Sequence, residues 1–201
     1  MIEVEQKFIL KNNDKERLLE SAVFLGEKQF TDVYYDTKNY DLTLNDKWLR
    51  QRERKFELKI PAGGGKNTDK TINLYKELEI EKEIRENLKL QKRGTLKDDL
   101  FASEYFVFCE CKTTRQKYKK EGFDIDLDFV EFDDFSYEIA EIELMSENEE
   151  TVPVAAEQIF NFAKKHGLKI SHTRGKVIEY LKQKSQKHYN ALVSAGQVKD
   201  Y

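Results

Sequence analysis

Along much of the chain apolar and polar residues alternate with a period of two, the mark of strands whose two faces meet different surroundings. Segments 2–10, 28–37, 47–60, 73–80, 104–119, 122–130 and 136–145 carry this rhythm and are predicted as strands. Helical spacing appears in fewer places. Residues 14–25 set Leu18, Leu19, Ala22, Val23 and Leu25 at helical intervals, with Asn12 or Asn13 available as a cap. Residues 81–90 are a highly charged helix candidate and 97–103 a short one. Residues 154–166 carry Ala155, Ile159, Phe162 and Ala163 ahead of Gly167, which suits a helix stop. From Lys176 onward Ile178, Leu181, Tyr189, Leu192 and Val193 mark a last helical stretch, with a helical tail from about 182. Strands with a few interspersed helices predict an α+β fold, and the absence of a repeat or a Pro-rich or Ser-rich linker predicts one domain over 1–201.

The polar faces of these strands are unusual in kind. In the opening "MIEVEQKFIL", Ile2, Val4, Phe8 and Leu10 share one side while Glu3, Glu5 and Lys7 share the other. "WLRQRER" sets Trp48, Arg50, Arg52 and Arg54 on one face, and "FELKI" adds Lys59. "LYKELEI" adds Glu77 and Glu79, "FDIDLDF" adds Asp126 and Asp128, and "IAEIEL" adds Glu141 and Glu143. Acidic and basic sets thus alternate with apolar residues on separate strands. In an open sheet such faces would simply be wet. In a closed barrel they would line the interior, where unpaired charge is costly. A charged interior suits a polyanion carrying divalent cations, with Arg and Lys on phosphate oxygens and carboxylates on Mg²⁺.

Charged residues make up 36% of the 201 residues, yet the formal net charge is only −3, which argues against a nucleic-acid binder with its basic excess. Cys109 and Cys111 sit two apart on one predicted strand, too similarly oriented to bridge, and fit a reducing, cytoplasmic setting. No apolar run reaches a membrane span and no leader pattern precedes the first strand, so no membrane partner is expected. The loop "PAGGGKNTDK" (61–70) lacks the spacing of a phosphate loop, because Ile60 and Asn67 stand where that motif needs Gly and Ser or Thr; it reads as a hairpin connection. His166, His172 and His188 show neither metal spacing nor a partner for a nucleophile.

The ordered set of E-x-E-x-K (3–7), "YYDT" (34–37), "WLRQRE" (48–53), "ELK" (57–59), "YKEL" (75–78), "TTR" (113–115), "DLD" (126–128), "EIE" (141–143) and "KVIEYL" (176–181) resembles the CYTH superfamily of triphosphate tunnel enzymes, most closely its thiamine triphosphatases. The similarity runs from Glu3 to about Leu181. It implies a closed eight-stranded antiparallel β-barrel with flanking helices. By the same resemblance, Glu3, Glu5, Asp126, Glu141 and Glu143 are the metal carboxylates, with Asp128 of equal parity as an alternative to Asp126. Lys7, Arg50, Arg52, Lys59, Arg115 and Lys176, with Glu141, bind the substrate; Lys117 and Lys119 share a face with Arg115 and could replace it. Lys7 and Tyr34 would activate water and Trp48 would stack on the thiamine moiety, with Glu77 as a supporting carboxylate.

The resemblance and these residues imply a Mg²⁺-dependent hydrolase, with Mn²⁺ as a substitute, that cleaves the terminal phosphoanhydride of a small-molecule triphosphate; a monomer is expected, though no residue pattern specifies the oligomeric state. Thiamine triphosphate is the first expected substrate. An inorganic tripolyphosphatase is the nearest alternative. A class IV-type adenylate cyclase and a non-catalytic polyphosphate-binding module are further ones.

Overall fold

The computed structural model describes residues 1–62 and 73–199. In chain order its elements are β1 (Ile2–Phe8), α1 (Asp14–Leu19), β2 (Val23–Thr37), β3 (Trp48–Arg52), β4 (Lys55–Pro61), β5 (Asn73–Leu78), α2 (Glu81–Leu88), α3 (Leu96–Ala102), β6 (Tyr105–Lys120), β7 (Phe123–Glu131), β8 (Ser136–Ser146), α4 (Val152–Lys165), α5 (Lys176–Lys184) and α6 (Gln186–Ser194). The eight strands close into an antiparallel barrel in the order β1-β5-β4-β3-β2-β6-β7-β8. Closure removes exposed sheet edges and gives every strand a neighbour on both sides. By compactness the described residues divide into two units, one of residues 1–29, 62, 73–76 and 113–176, the other of 30–61, 77–112 and 177–199.

In the first unit the predicted alternation becomes a two-faced sheet. β8 pairs with β1 and with β7, so that Val4 lies across from Leu144, Phe8 from Ala140 and Ile125 from Ile142. The buried apolar face of these strands, Val4, Phe8, Ile125, Ala140 and Ile142, packs on Ala155, Ile159, Phe162 and Ala163 of α4. Pro153 in the first turn of α4 needs no hydrogen-bonded N–H there, and Gly167 just beyond it takes φ +69. Each fully buried Ile or Phe in this layer contributes about 1.5–3 kcal/mol by transfer from water. The opposite face, one residue out of step, carries the charges.

The second unit repeats the logic. Tyr35, Leu49, Phe56, Leu58 and Leu78 pack on Ile84 of α2 and on Leu96 and Leu100 of α3. Thr95 and Asp98 form a reciprocal capping box at the start of α3. In α6, buried His188 has its Nε2 2.7 Å from Thr43 Oγ1, and its ring stacks on Tyr40 with centroids 3.8 Å apart. Burial pushes its imidazole down to about 4, so it stays neutral near neutral pH.

Several sequence expectations change. The helix predicted over 14–25 ends at Leu19, and Val23, Phe24 and Leu25 open β2 with more than half of their surface exposed. Ser21 at φ 60 breaks the helix between them, and a β-branched and an aromatic residue then favour extended backbone. Asn13 makes no side-chain cap; Asp14 instead accepts the N–H of Lys11 at 2.8 Å. The single strand predicted over 47–60 is a hairpin, because Glu53 adopts φ 55 and turns the chain between β3 and β4. The last helical stretch is two helices, parted at Ser185. Residues 63–70 of the glycine-rich stretch lie outside the described residues.

Candidate active site

The charged faces gather into a cluster within each unit. In the first, antiparallel register sets Glu5 across from Glu143, Lys7 across from Glu141, and on the other side of β8 Asp126 across from Glu141 and Asp124 across from Glu143. Carboxylates directly opposite one another repel, so this register is unfavourable unless cations enter it. Lys7 supplies one: its ammonium bonds Glu5 and lies 3.5 Å from Glu141. Gly175 lies against the stem of Lys7, and a Cβ there would come 3.3 Å from the lysine Cε. Arg115 supplies another. Its guanidinium forks onto Asp128, with Nε and Nη2 each at 2.6 Å, while Nη1 bonds Asp126 and Nη2 bonds Glu141 at 3.0 Å. Lys117 Nζ lies 3.5 Å from Asp126 Oδ1. Lys176, at the start of α5, donates to buried Thr113 at 3.2 Å.

Two overlapping sets of carboxylates, Glu3 with Glu5 and Glu143, and Asp126 with Glu141 and Glu143, each bring three oxygens within 4.8 Å of one another. Two observations test whether they suit a divalent cation. Asp126 is 0% exposed, and among the described residues its Oδ1 has no hydrogen-bond donor. The Glu143 carboxyl is pushed up to about 9 by burial, then by the charges of Glu141, Glu5, Glu3 and Asp126. A buried oxygen lacking a donor and a carboxyl that holds a proton for want of positive charge fit a hard cation with oxygen ligands, Mg²⁺ or Mn²⁺. Asp128, by contrast, has both oxygens held by the Arg115 fork and belongs to neither set. Sequence parity left Asp126 and Asp128 equivalent, and the fork distinguishes them.

The second cluster is built on guanidinium groups. Arg52 forks onto Asp32, Nε–Oδ1 at 2.7 Å and Nη2–Oδ2 at 3.0 Å, and its guanidinium carbon lies 3.9 Å from the centre of the Phe30 ring. Arg50 bonds Glu57 at 2.5 Å and lies 3.7 Å from Glu77 and 4.0 Å from Asp32. Lys59 bonds Glu77 at 3.1 Å. Tyr34 is opposite Arg50 in the β2–β3 ladder, and Trp48 is opposite Lys59 in the β3–β4 ladder. The Trp48 indole N–H donates to Asp46 at 3.1 Å. Burial raises the Tyr34 phenol well above its ordinary value; Asp32 adds to the rise and Arg50 opposes it, so Tyr34 keeps its proton across the neutral range.

The structure therefore gathers Glu3, Glu5, Lys7, Arg115, Asp126, Glu141 and Glu143 in one unit, and Tyr34, Arg50, Arg52 and Lys59 in the other. Sequence reasoning missed Asp32 and Glu57. Asp32 shares the parity of Tyr34, and Glu57 opens the "ELK" run from which only Lys59 was taken. Both orient arginines, and parity with a neighbouring candidate was the available signal.

Residues 1–173 match the CYTH domain. The chain belongs to the CYTH family. Among relatives of this CYTH protein, the thiamine-triphosphatase of Homo sapiens is 32% identical over a 215-residue alignment that takes in 98% of this chain and 91% of the human one. The thiamine-triphosphatase of Macaca fascicularis is 31% identical, with 99% and 92% covered. Among solved structures, the PH1819 protein of Pyrococcus horikoshii superposes with a TM-score of 0.64 at 21% identity, covering 90% of this chain and 99% of that one. Among the described residues, no helix of this CYTH protein is long and apolar enough to cross a membrane.

Proposed function

We propose that this CYTH protein is a Mg²⁺-dependent hydrolase that removes the terminal phosphate of thiamine triphosphate, yielding thiamine diphosphate and phosphate. The observation that carries the reading is the carboxylate cluster short of cations in the first unit; the second unit separately carries a cluster of guanidinium groups. Relatives more than 30% identical over nearly the whole chain, both thiamine-triphosphatases, support the substrate. In this reading Asp126, Glu141 and Glu143, with Glu3 and Glu5, hold the cation. When bound, the cation supplies charge neutralisation to the phosphoryl group being transferred.

The chain's own groups do the rest. Arg50, Arg52 and Lys59 grip phosphate oxygens, and buried Asp32 and half-buried Glu57 hold the two guanidinium groups in place before substrate arrives. Arg115 and Lys176 bind further oxygens. Lys7 and Tyr34 orient the attacking water in line with the leaving group; because Tyr34 holds its proton, it positions the water and does not deprotonate it. Trp48 offers a ring to the cationic thiazolium.

The test is turnover of thiamine triphosphate, tripolyphosphate and ATP, with and without Mg²⁺, in wild type and Trp48→Ala. The expected result is Mg²⁺-dependent phosphate release with thiamine triphosphate preferred. Trp48→Ala should raise KM for thiamine triphosphate about five- to thirtyfold, the size of a desolvated cation–π contact, and change tripolyphosphate turnover little. A tripolyphosphate preference untouched by Trp48→Ala would instead assign the chain as an inorganic tripolyphosphatase.

A further inference from the structure

Strands β6 and β7 carry a second pattern on the charged face of the first unit. Bases on β6 meet acids on β7 in descending step, as neighbouring antiparallel strands require: Arg115 with Asp128, Lys117 with Asp126, Lys119 with Asp124. The three pairs are not alike. Arg115 makes a two-bond fork at 2.6 Å, and Lys119 bonds Asp124 at 2.9 Å. Lys117 stands off at 3.5 Å, makes no hydrogen bond to its acid, and faces the Asp126 oxygen that has no donor among the described residues. Its side chain is 38% exposed against 13% for Arg115, so it has room to move. Asp126 is also a member of a carboxylate set suited to a divalent cation.

We propose that Lys117 is a substrate-binding residue held in reserve: it acts as the counter-ion of Asp126 until a divalent cation takes that carboxylate, and then turns to a phosphate oxygen of the substrate. The inference rests on the triphosphate-hydrolase reading above. Its physical basis is competition. A lysine on a flexible four-carbon stem is a mobile point charge, whereas the arginine beside it is locked by a planar two-bond fork. A divalent cation at Asp126 repels the ammonium at close range and offsets its attraction to that carboxylate. A negatively charged phosphoryl group arriving with the cation offers it a new one. Lys117 thus makes phosphate binding depend on the cation without forming a bond to it.

The test uses Lys117→Met, which keeps the stem and removes the charge, beside Lys165→Met, which breaks an exposed pair with Glu121 elsewhere in the same unit. Mn²⁺ alone, titrated by calorimetry or by its paramagnetic resonance signal, should bind Lys117→Met about two- to fivefold tighter than wild type, the range of a partly screened ion pair. In saturating Mg²⁺, the KM for tripolyphosphate should rise by a similar factor in Lys117→Met with kcat little changed, and Lys165→Met should match wild type in both assays. Unchanged or weaker Mn²⁺ binding in Lys117→Met, or an unchanged KM, would overturn the assignment. A wild type that binds Mn²⁺ and hydrolyses triphosphate beside an unresponsive Lys117→Met would overturn this inference alone; a wild type without either property would overturn the functional reading as well.

Discussion

The two charged clusters are made by the same local design and differ in how their charge is balanced. Each lies on antiparallel strands whose other face is buried under helices, α4 in one unit and α2 with α3 in the other. In the second unit the arginines and lysine are matched by Asp32, Glu57 and Glu77, with contacts of 2.5 to 4.0 Å. In the first, Lys7, Arg115 and Lys117 are shared among Glu5, Glu141, Asp126 and Asp128, while Glu143 faces Glu5 and Asp124 across its two ladders. A balanced cluster is preorganised and ready for an anion. An over-acidic one is incomplete until cations arrive, and it registers that lack as a raised carboxyl at Glu143.

The largest loss is expected at Glu141, which touches Arg115 and Lys7 and belongs to a cation set. Glu141→Gln should lower kcat/KM by about 10³-fold with the fold retained by circular dichroism, the scale of losing a central electrostatic group. Near-wild-type turnover would remove the first cluster from the active site.

A smaller loss is expected in the second cluster from Asp32→Asn. Asp32 is 0% exposed, and its charge sets the Arg52 fork and lies 4.0 Å from Arg50. The substitution should raise KM about tenfold or more and cost about 3 kcal/mol in denaturant unfolding, because two arginines lose a buried anion. Normal KM with the stability loss alone would make Asp32 structural only.

The two clusters also differ in their response to pH. The Glu143 carboxyl sits at about 9 when folded, above the ordinary glutamate value, so between roughly 4.3 and 9 the folded protein holds more protons than the unfolded chain. That stability is fully present at the acid end and is lost as pH rises through about 9. In chelator, Tm should therefore fall by a few degrees from pH 6 to pH 9, and Glu143→Gln should flatten the slope. Mg²⁺ should bind with proton release and more tightly as pH rises, which calorimetry in buffers of different ionisation enthalpy reads directly.

Much of this was legible from residues alone. Alternation located strand faces correctly, since a one-residue step decides whether Val4 or Glu5 meets the core. It could not place the breaks: Ser21 and Glu53 take left-handed backbone that no residue type announced, so a predicted helix shortened and a predicted strand became a hairpin. Nor could parity reveal pairing. Arg115 reads from sequence as a base awaiting phosphate, yet in the fold it meets three carboxylates, and Asp32 was passed over although it holds Arg52.

Which residue types share a face, and through the ordered motifs the family, can be read along the chain. Which carboxylate meets which base is set by the fold. Parity along one strand is a local property of the pleat, whereas an ion pair forms between strands far apart in sequence and depends on register and on a few ångströms of side-chain reach.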